Sequence, residues 1–292
     1  MNSVSEPLPA PVAAAHDDAA WASAMEARFL ADQRRGKRFA VVSRFLLNVL
    51  GVLLFLGLWE ALPLLAPGVN ETLFPPPSAV FKALVPMLLS GEILNNILVS
   101  LRRAGTGFAI AALLGIAAGL LTARVKLLHH VSEPLLHGMR SIPVIALVPI
   151  SVLWLGIGET AKVALVACGA FFPIWIATFI GVRDVHIVYL HSAACLGAGR
   201  VATTLWVVLP AALPLILAGL RQAIAISLIV LVAAELAGAT AGVAYMMSMG
   251  HQLFRVDVMF IGLLILGALG FLADRLFVAL MKRVFPWYSS AQ

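Results

Sequence analysis

The chain has 292 residues, of which 62% are hydrophobic and 12% charged, and its mean hydropathy is +1.01. Soluble domains average about 45–50% apolar and about 25% charged residues, so this composition excludes a soluble protein and indicates an integral membrane protein. The net charge of +6 could favour nucleic acid. Basic residues that gather in cytoplasmic loops explain that charge more simply, and no nucleic-acid partner is expected.

Six membrane spans are predicted from the apolar runs, each close to the roughly 20 residues that a helix needs to cross a bilayer. The predicted fold is therefore all-α and polytopic, with spans at 45–66, 104–123, 135–157, 162–181, 211–234 and 258–280. The basic segment before the first span places the N-terminus in the cytoplasm, and six crossings return the C-terminus to that side. The predicted parts are a cytoplasmic tail (1–44), a transmembrane domain (45–284) and a short cytoplasmic tail (285–292).

The N-terminal tail carries Trp21, Met25 and Phe29 at helical spacing, followed by the run RRGKR. This pattern is typical of a helix lying on a membrane surface with its cations toward anionic headgroups. A disordered, alanine-rich tail is the alternative, and both remain open. Beyond the first span, the stretch FPPPSAVFKALVPMLL predicts an interfacial helix on the outer surface.

The third predicted span contains Arg140, Pro143 and Pro149. Two prolines free backbone carbonyl groups, and irregular backbone at membrane depth persists only where protein or a water-filled cavity surrounds it. These three residues are therefore candidates for lining a translocation pathway.

The stretch 201–234 has Arg221 as its only charged residue and would be about 50 Å long as one helix, too long for one span. Pro210 and Pro214 are expected to divide it, so the fifth span is taken to begin directly after Pro210. Arg221 then lies near mid-membrane, where a charge facing lipid costs at least about 2.5 kcal/mol. Either Arg221 attracts an anion in the pathway, or it pairs with Glu235 or backbone carbonyls at a helix contact.

The cytoplasmic connection between the fourth and fifth spans is longer than a direct link requires. Ile187, Leu190 and Ala194 share one helical face, and Gly197 and Gly199 allow a sharp exit from that helix. A short helix lying across the ends of the spans could transmit a push from a soluble partner into the membrane. An ordinary interfacial connector is the alternative.

The segment 190–214, LHSAACLGAGRVATTLWVVLPAALP, resembles the cytoplasmic signature of ATP-binding cassette importer permeases. That signature runs Glu-Ala-Ala, three residues, glycine, a spacer and Leu-Pro. Ser192 and Ala193 occupy its two small positions, Gly197 its glycine and Pro210 its final proline. The resemblance implies a helix that docks on an ATPase, with candidate coupling residues Leu190, His191, Ser192, Ala193, Leu196, Gly197 and Pro210.

His191 departs from this signature, because it stands where the family has an acidic residue. A neutral imidazole can still hydrogen-bond, whereas a protonated one would reverse the sign of the charge. The resemblance therefore implies docking with an altered charge pairing.

Four more stretches look like the permeases of the nitrate, sulfonate, taurine and bicarbonate group, and the resemblance covers about 73–283. They are LFPPPSAVFKAL, RSIPVIALVPISVLWLGIGETAK, GAFFPIWIATFIGV and LVAAELAGATAGVAYMM. The resemblance implies a dimeric pathway for a small anionic solute in the bacterial inner membrane. A second copy of this chain is expected to complete the dimer, and a sister permease is the alternative. A cytoplasmic ATPase dimer would bind beneath, and a periplasmic or lipid-anchored binding protein would deliver the solute.

The chain has no phosphate-cradling G-x-x-x-x-G-K-[ST] pattern, so ATP and Mg²⁺ are expected on the partner ATPase. No catalytic residue and no metal site are expected on this chain, and the histidines at 129, 130 and 137 look like a surface cluster. An ion-coupled secondary transporter is the alternative function, but mid-membrane carboxylates are almost missing and no repeat relates the two halves of the sequence. A membrane-embedded hydrolase would need a nucleophile with a base, which the predicted spans lack.

Overall fold

The computed structural model describes Met25, residues 46–63, Leu65 and residues 72–285, and all regular structure in these ranges is helical. In chain order the helices are α1 (Leu46–Pro63), α2 (Pro77–Leu89), α3 (Glu92–Arg124), α4 (Lys126–Arg140), a 3₁₀ turn (Val144–Leu147), α5 (Val148–Leu155), α6 (Glu159–Arg183), α7 (Ile187–Cys195), α8 (Arg200–Thr203), a π turn (Thr204–Val208), α9 (Leu209–Leu236), α10 (Val243–Gln252) and α11 (Val256–Val284).

Within the described ranges, five helical stretches are long and apolar enough to cross a membrane. They are α1, α3, α6, α11 and the continuous stretch Arg200–Leu236 that contains α9. The predicted all-α, multi-pass fold is confirmed. The chain separates into two units after Val69, so α1 is described by itself as an 18-residue apolar helix. The surface helix predicted around 21–29 falls outside the described residues, apart from Met25.

The third predicted span is wrong as a single helix. Residues 135–157 are split between the end of α4, a break at 141–143, the 3₁₀ turn and α5. Pro143 has extended backbone (φ −60°, ψ 120°), which ends α4 before the chain turns helical again. The apolar helical part, Val144–Leu155, is shorter than a bilayer is thick. The α4 helix itself is amphipathic, because charged and histidine residues alternate with leucines along it.

The division expected at Pro210 and Pro214 is also wrong. The chain stays helical from Arg200 through Leu236, with Pro210 in the first turn of α9 and Pro214 one turn later. The π turn directly before α9 explains this continuity. Its wider backbone hydrogen bonding shifts the ladder just where the Pro210 ring would otherwise meet the preceding turn.

Helix α3 packs closely against α6 through three glycines on one of its faces, Gly107, Gly115 and Gly119. A Cβ atom at Gly107 would lie 2.6 Å from a methyl of Val166, and one at Gly119 would lie 2.6 Å from Cβ of Thr178. Small residues let two membrane helices approach closely, which gains van der Waals contact where lipid offers no hydrophobic drive. The second predicted span, 104–123, corresponds to the glycine-containing C-terminal part of the longer helix α3.

The opposite side of α6 packs on α9 in the same way. A Cβ at Gly219 would overlap Ala177 and lie 3.0 Å from the Pro173 carbonyl oxygen. A Cβ at Gly169 would lie 2.8 Å from a methyl of Val230. Helix α6 is thus the centre of the bundle, held between α3 and α9.

The helix predicted after residue 73 is confirmed as α2. Its Val80 and Met87 are buried in one cluster with Val243 of α10 and Ile261 of α11. This second cluster lies beside the α3–α6–α9 core and holds the short helices α2 and α10 to it.

Candidate functional site

A cavity of about 570 Å³ opens beside the α6–α9 contact. Its three walls are the break after α4, one stripe of α6 and one stripe of α9. The α6 stripe recurs at three- and four-residue steps from Gly169 to Ile180, and the α9 stripe does so from Leu215 to Ile226, as residues on one helical face do. The volume lies in the range of small-molecule sites.

Two of the four predicted pathway residues, Arg140 and Pro143, line this cavity. Pro149 instead lies in the first turn of α5 and Arg221 in α9, and neither is among the lining residues. The break that Pro143 creates supplies one wall of the cavity. The pathway role of all four residues stays a prediction.

Arg221 forms an ion pair with Asp274 of α11. Its Nε donates to Oδ1 of Asp274 at 2.6 Å and its Nη2 donates to Oδ2 at 2.9 Å. Arg221 therefore faces a helix contact, as one of its two interpretations expected, but its partner is Asp274 and not Glu235. The pair ties α9 to α11.

Glu235 belongs to a buried ion network at the end of the bundle where α3 and α6 begin. Arg103 of α3 is 2% exposed and donates from Nη1 to Glu235 Oε1 (2.8 Å) and to the Ala241 carbonyl oxygen (2.6 Å). The same guanidinium donates from Nε and Nη2 to both carboxylate oxygens of Glu159, at 2.7 and 2.5 Å. One arginine within α3 thus joins the start of α6 and the end of α9.

Side chains of this network also cap α10. Glu235 Oε2 accepts from the Ala244 amide at 3.0 Å, and Ser100 Oγ accepts from the Val243 amide at 2.9 Å. Amide groups at a helix start have no partner within the helix, so these side chains replace the missing carbonyls. The backbone at Gly242 has φ +126°, and a Cβ there would overlap the Glu235 carboxylate.

Sequence reasoning missed Arg103 because it placed that residue in a loop before the second span. Helix α3 begins at Glu92, so Arg103 lies well inside it. The signal that could have found the network is the pairing rule itself, since an arginine within a membrane helix pairs with a carboxylate or with backbone carbonyls.

At the opposite end of the bundle, α7 lies where the coupling helix was predicted. Ala193 is buried, and Leu190 packs against a buried cluster that contains Val182 of α6, Val208 of the π turn and Ala212 of α9. His191 and Ser192 are exposed, as residues on the other face of a short helix would be. The helix therefore packs against a cluster shared by both cavity-lining helices and displays its outer face.

The exit from α7 depends on Gly197. Its φ of +74° is left-handed, and the amides of Gly197 and Ala198 donate back to the carbonyls of Ala194 and Ala193 at 3.0 Å each. This is a helix C-terminus of the glycine-dependent kind. Leu196, just before the glycine, is 87% exposed. Pro210 lies apart from α7, in the first turn of α9.

Comparison with known proteins matches residues 111–286 to the family described as "Binding-protein-dependent transport system inner membrane component". A putative aliphatic sulfonates transport permease protein, SsuC, of Bacillus subtilis is 35% identical over 76% of this chain and 80% of its own. The taurine transport system permease protein TauC of Escherichia coli is 31% identical, covering 77% and 83%. The bicarbonate transport system permease protein CmpB of Synechococcus elongatus is 32% identical, covering 82% and 88%.

Among solved structures, a chain of the inward-facing MetNI methionine ABC transporter (CY5 native crystal form) aligns with a TM-score of 0.53. The alignment covers 66% of this chain and 97% of that chain at 18% identity. At this identity the likeness establishes the fold.

Proposed function

The chain belongs to the family of inner membrane components of binding-protein-dependent transport systems, and from this premise we propose how its parts carry out import. It is the multi-pass permease subunit of an ABC transporter. We propose that the cavity between α6, α9 and the break after α4 is part of the solute pathway. ATP and Mg²⁺ bind to a separate ATPase dimer, and this chain supplies no catalytic residue.

The observation that carries the proposal is the position of α7. Leu190 packs against a buried cluster that joins Val182 near the end of α6 to Ala212 and Ile216 near the start of α9. Helices α6 and α9 form two of the three cavity walls. A displacement of α7 by a docked ATPase therefore acts on both walls at once. Because packed helices shift between discrete arrangements, such a push can change access to the cavity.

The remaining assembly follows the same premise. An external binding protein delivers the solute, a second copy of this chain completes the pathway, and lipid surrounds the pair. Six crossings keep both termini in the cytoplasm, and the short crossing is formed by the break at 141–143 together with the 3₁₀ turn and α5. The solute is a small molecule with an anionic group, since relatives are named for sulfonates, bicarbonate and taurine, a zwitterion that carries a sulfonate.

The native cysteines offer a direct test of the α7 docking surface. Cys195 is exposed at the end of α7, whereas Cys168 lies half-buried within α6 and serves as an internal reference. When the complex is extracted gently from its membrane, an ATPase subunit should co-purify and protect Cys195 from a maleimide. Stripping the ATPase should restore labelling of Cys195 and leave Cys168 unchanged.

Two outcomes contradict the proposal. Equal labelling of Cys195 with and without the bound ATPase would place the docking surface elsewhere. A chain that purifies alone and still moves solute in liposomes would replace the importer with an ion-coupled secondary transporter.

A further inference from the structure

Two polar side chains stand on different walls of the cavity. Arg140 ends α4 and contributes to the wall at the break, and Gln222 projects from the middle of α9. The other lining residues are apolar or are glycine and proline. Among the residues that the structure describes, neither side chain has a hydrogen bond or an ion pair. Each is therefore free to contact a solute.

Gln222 faces the cavity, whereas its neighbour Arg221 does not. Successive residues of a helix point about 100° apart, and the guanidinium of Arg221 is held by Asp274 of α11. The charge near the middle of α9 is thus neutralised at a helix contact, and the neutral amide is presented to the cavity.

The charge of the lining selects the sign of the solute. Arg140 is the one charged residue among the described lining residues, and none of them is a carboxylate. Apolar walls lower the local dielectric constant and strengthen the field of a lone cation, which attracts anions and repels cations. The Gln222 amide adds two N–H donors, which suit the oxygens of an oxyanion.

A neutral donor at mid-helix also suits passage better than a second cation would. A transported solute must bind well enough to enter and weakly enough to leave. The volume of about 570 Å³ exceeds that of a small oxyanion, so water accompanies the solute. One charge and one amide then recognise the solute without binding it too tightly for release.

We propose that Arg140 and Gln222 form a binding site for a small, singly charged oxyanion of the sulfonate or carboxylate class. The proposal deepens the transport function above and rests on the cavity being part of the solute pathway. It assigns solute contact on α9 to Gln222 and a structural role to Arg221.

The test measures the sign of the potential at Gln222 directly. In a chain with Cys168→Ala and Cys195→Ser, the variant Gln222→Cys is labelled in the assembled complex by two thiol reagents of similar size. One is the anionic 2-sulfonatoethyl methanethiosulfonate, itself a small sulfonate, and the other is its cationic trimethylammonium counterpart. Each rate is divided by the reagent's rate with a free thiol in solution.

We expect the normalised rate to be higher for the anionic reagent. Adding Arg140→Gln should lower the anion-to-cation ratio by roughly three- to tenfold, the effect of one charge in a partly hydrated cavity, whereas Arg140→Lys should preserve it. If neither reagent labels position 222, the cavity is closed or filled and the proposal fails. A ratio at or below one with Arg140 intact, or a ratio that Arg140→Gln leaves unchanged, overturns the anion site.

These outcomes are separate from the test of the transport function. Labelling at position 222 depends on the cavity and its charge alone, whereas protection of Cys195 depends on the ATPase. An anion preference without ATPase binding would preserve the site and remove the importer. ATPase binding without an anion preference would preserve the importer and remove the anion site.

Discussion

Replacing Arg103 with methionine removes the guanidinium that links α3 to the start of α6 and the end of α9. Four hydrogen bonds are lost, two to Glu159, one to Glu235 and one to the Ala241 carbonyl. Glu159 is half-exposed and can be hydrated, but Glu235 is 2% exposed and would stay buried as an uncompensated charge. Removing one partner of a buried ion pair costs about 3–5 kcal/mol, so Arg103→Met should lose stability of that order.

The assay is reversible unfolding of the purified permease in mixed micelles, with helicity followed by circular dichroism. The matched control is Arg102→Met, because the side chain of Arg102 is 70% exposed and lies 3.8 Å from the same Glu159. An exposed pair contributes about 0–1 kcal/mol, so this variant should unfold close to wild type. Adding Glu235→Gln to Arg103→Met should recover at least about half of the loss, since it neutralises the stranded carboxylate. Equal losses for the two arginine variants would refute the reasoning.

Two further predictions compare glycines that differ in a single respect. Gly119→Ala should lower the stability of the folded permease by about 1–3 kcal/mol, because the added methyl group forces α3 away from Thr178. The control Gly105→Ala on the same helix meets open space and should be neutral or slightly stabilising. The measurement is the fraction of each variant that stays monodisperse after heating. Gly197→Ala should reduce ATP-driven uptake per inserted chain, because a left-handed backbone costs a residue with a Cβ about 1–2 kcal/mol. The control Gly199→Ala should transport normally, since Gly199 has a φ of −67°. Equal uptake by the two variants would remove the coupling role of the turn at Gly197.

The apolar runs predicted the long helices because crossing a bilayer imposes a length and a composition that few soluble segments share. The segment after α3 escaped this rule. Its apolar residues belong partly to the amphipathic helix α4 and partly to the short α5, and hydropathy alone does not separate the two. Pro143 was read correctly as a source of irregular backbone, yet the full break was missed because one straight span was assumed.

The side-chain partners were harder to predict than the helices. Arg103 pairs with Glu235 across 132 residues of sequence, and Arg221 pairs with Asp274 across 53. Such pairings depend on which helices become neighbours, which periodicity along one helix does not specify. Gln222 drew no attention for the same reason, since a neutral amide beside an arginine stands out only when the cavity is known.

The partners of Arg103 lie far along the sequence, so they become available one after another during synthesis and membrane insertion. Helix α3 leaves the ribosome with Arg103 inside an apolar helix, and its first carboxylate partner, Glu159, lies 56 residues further along. The Ala241 carbonyl lies 138 residues after Arg103, so it becomes available only after α9 has been made. The guanidinium must therefore stay near water or other protein groups while α6 emerges. The guanidinium has all its partners only when the nascent chain has passed Ala241.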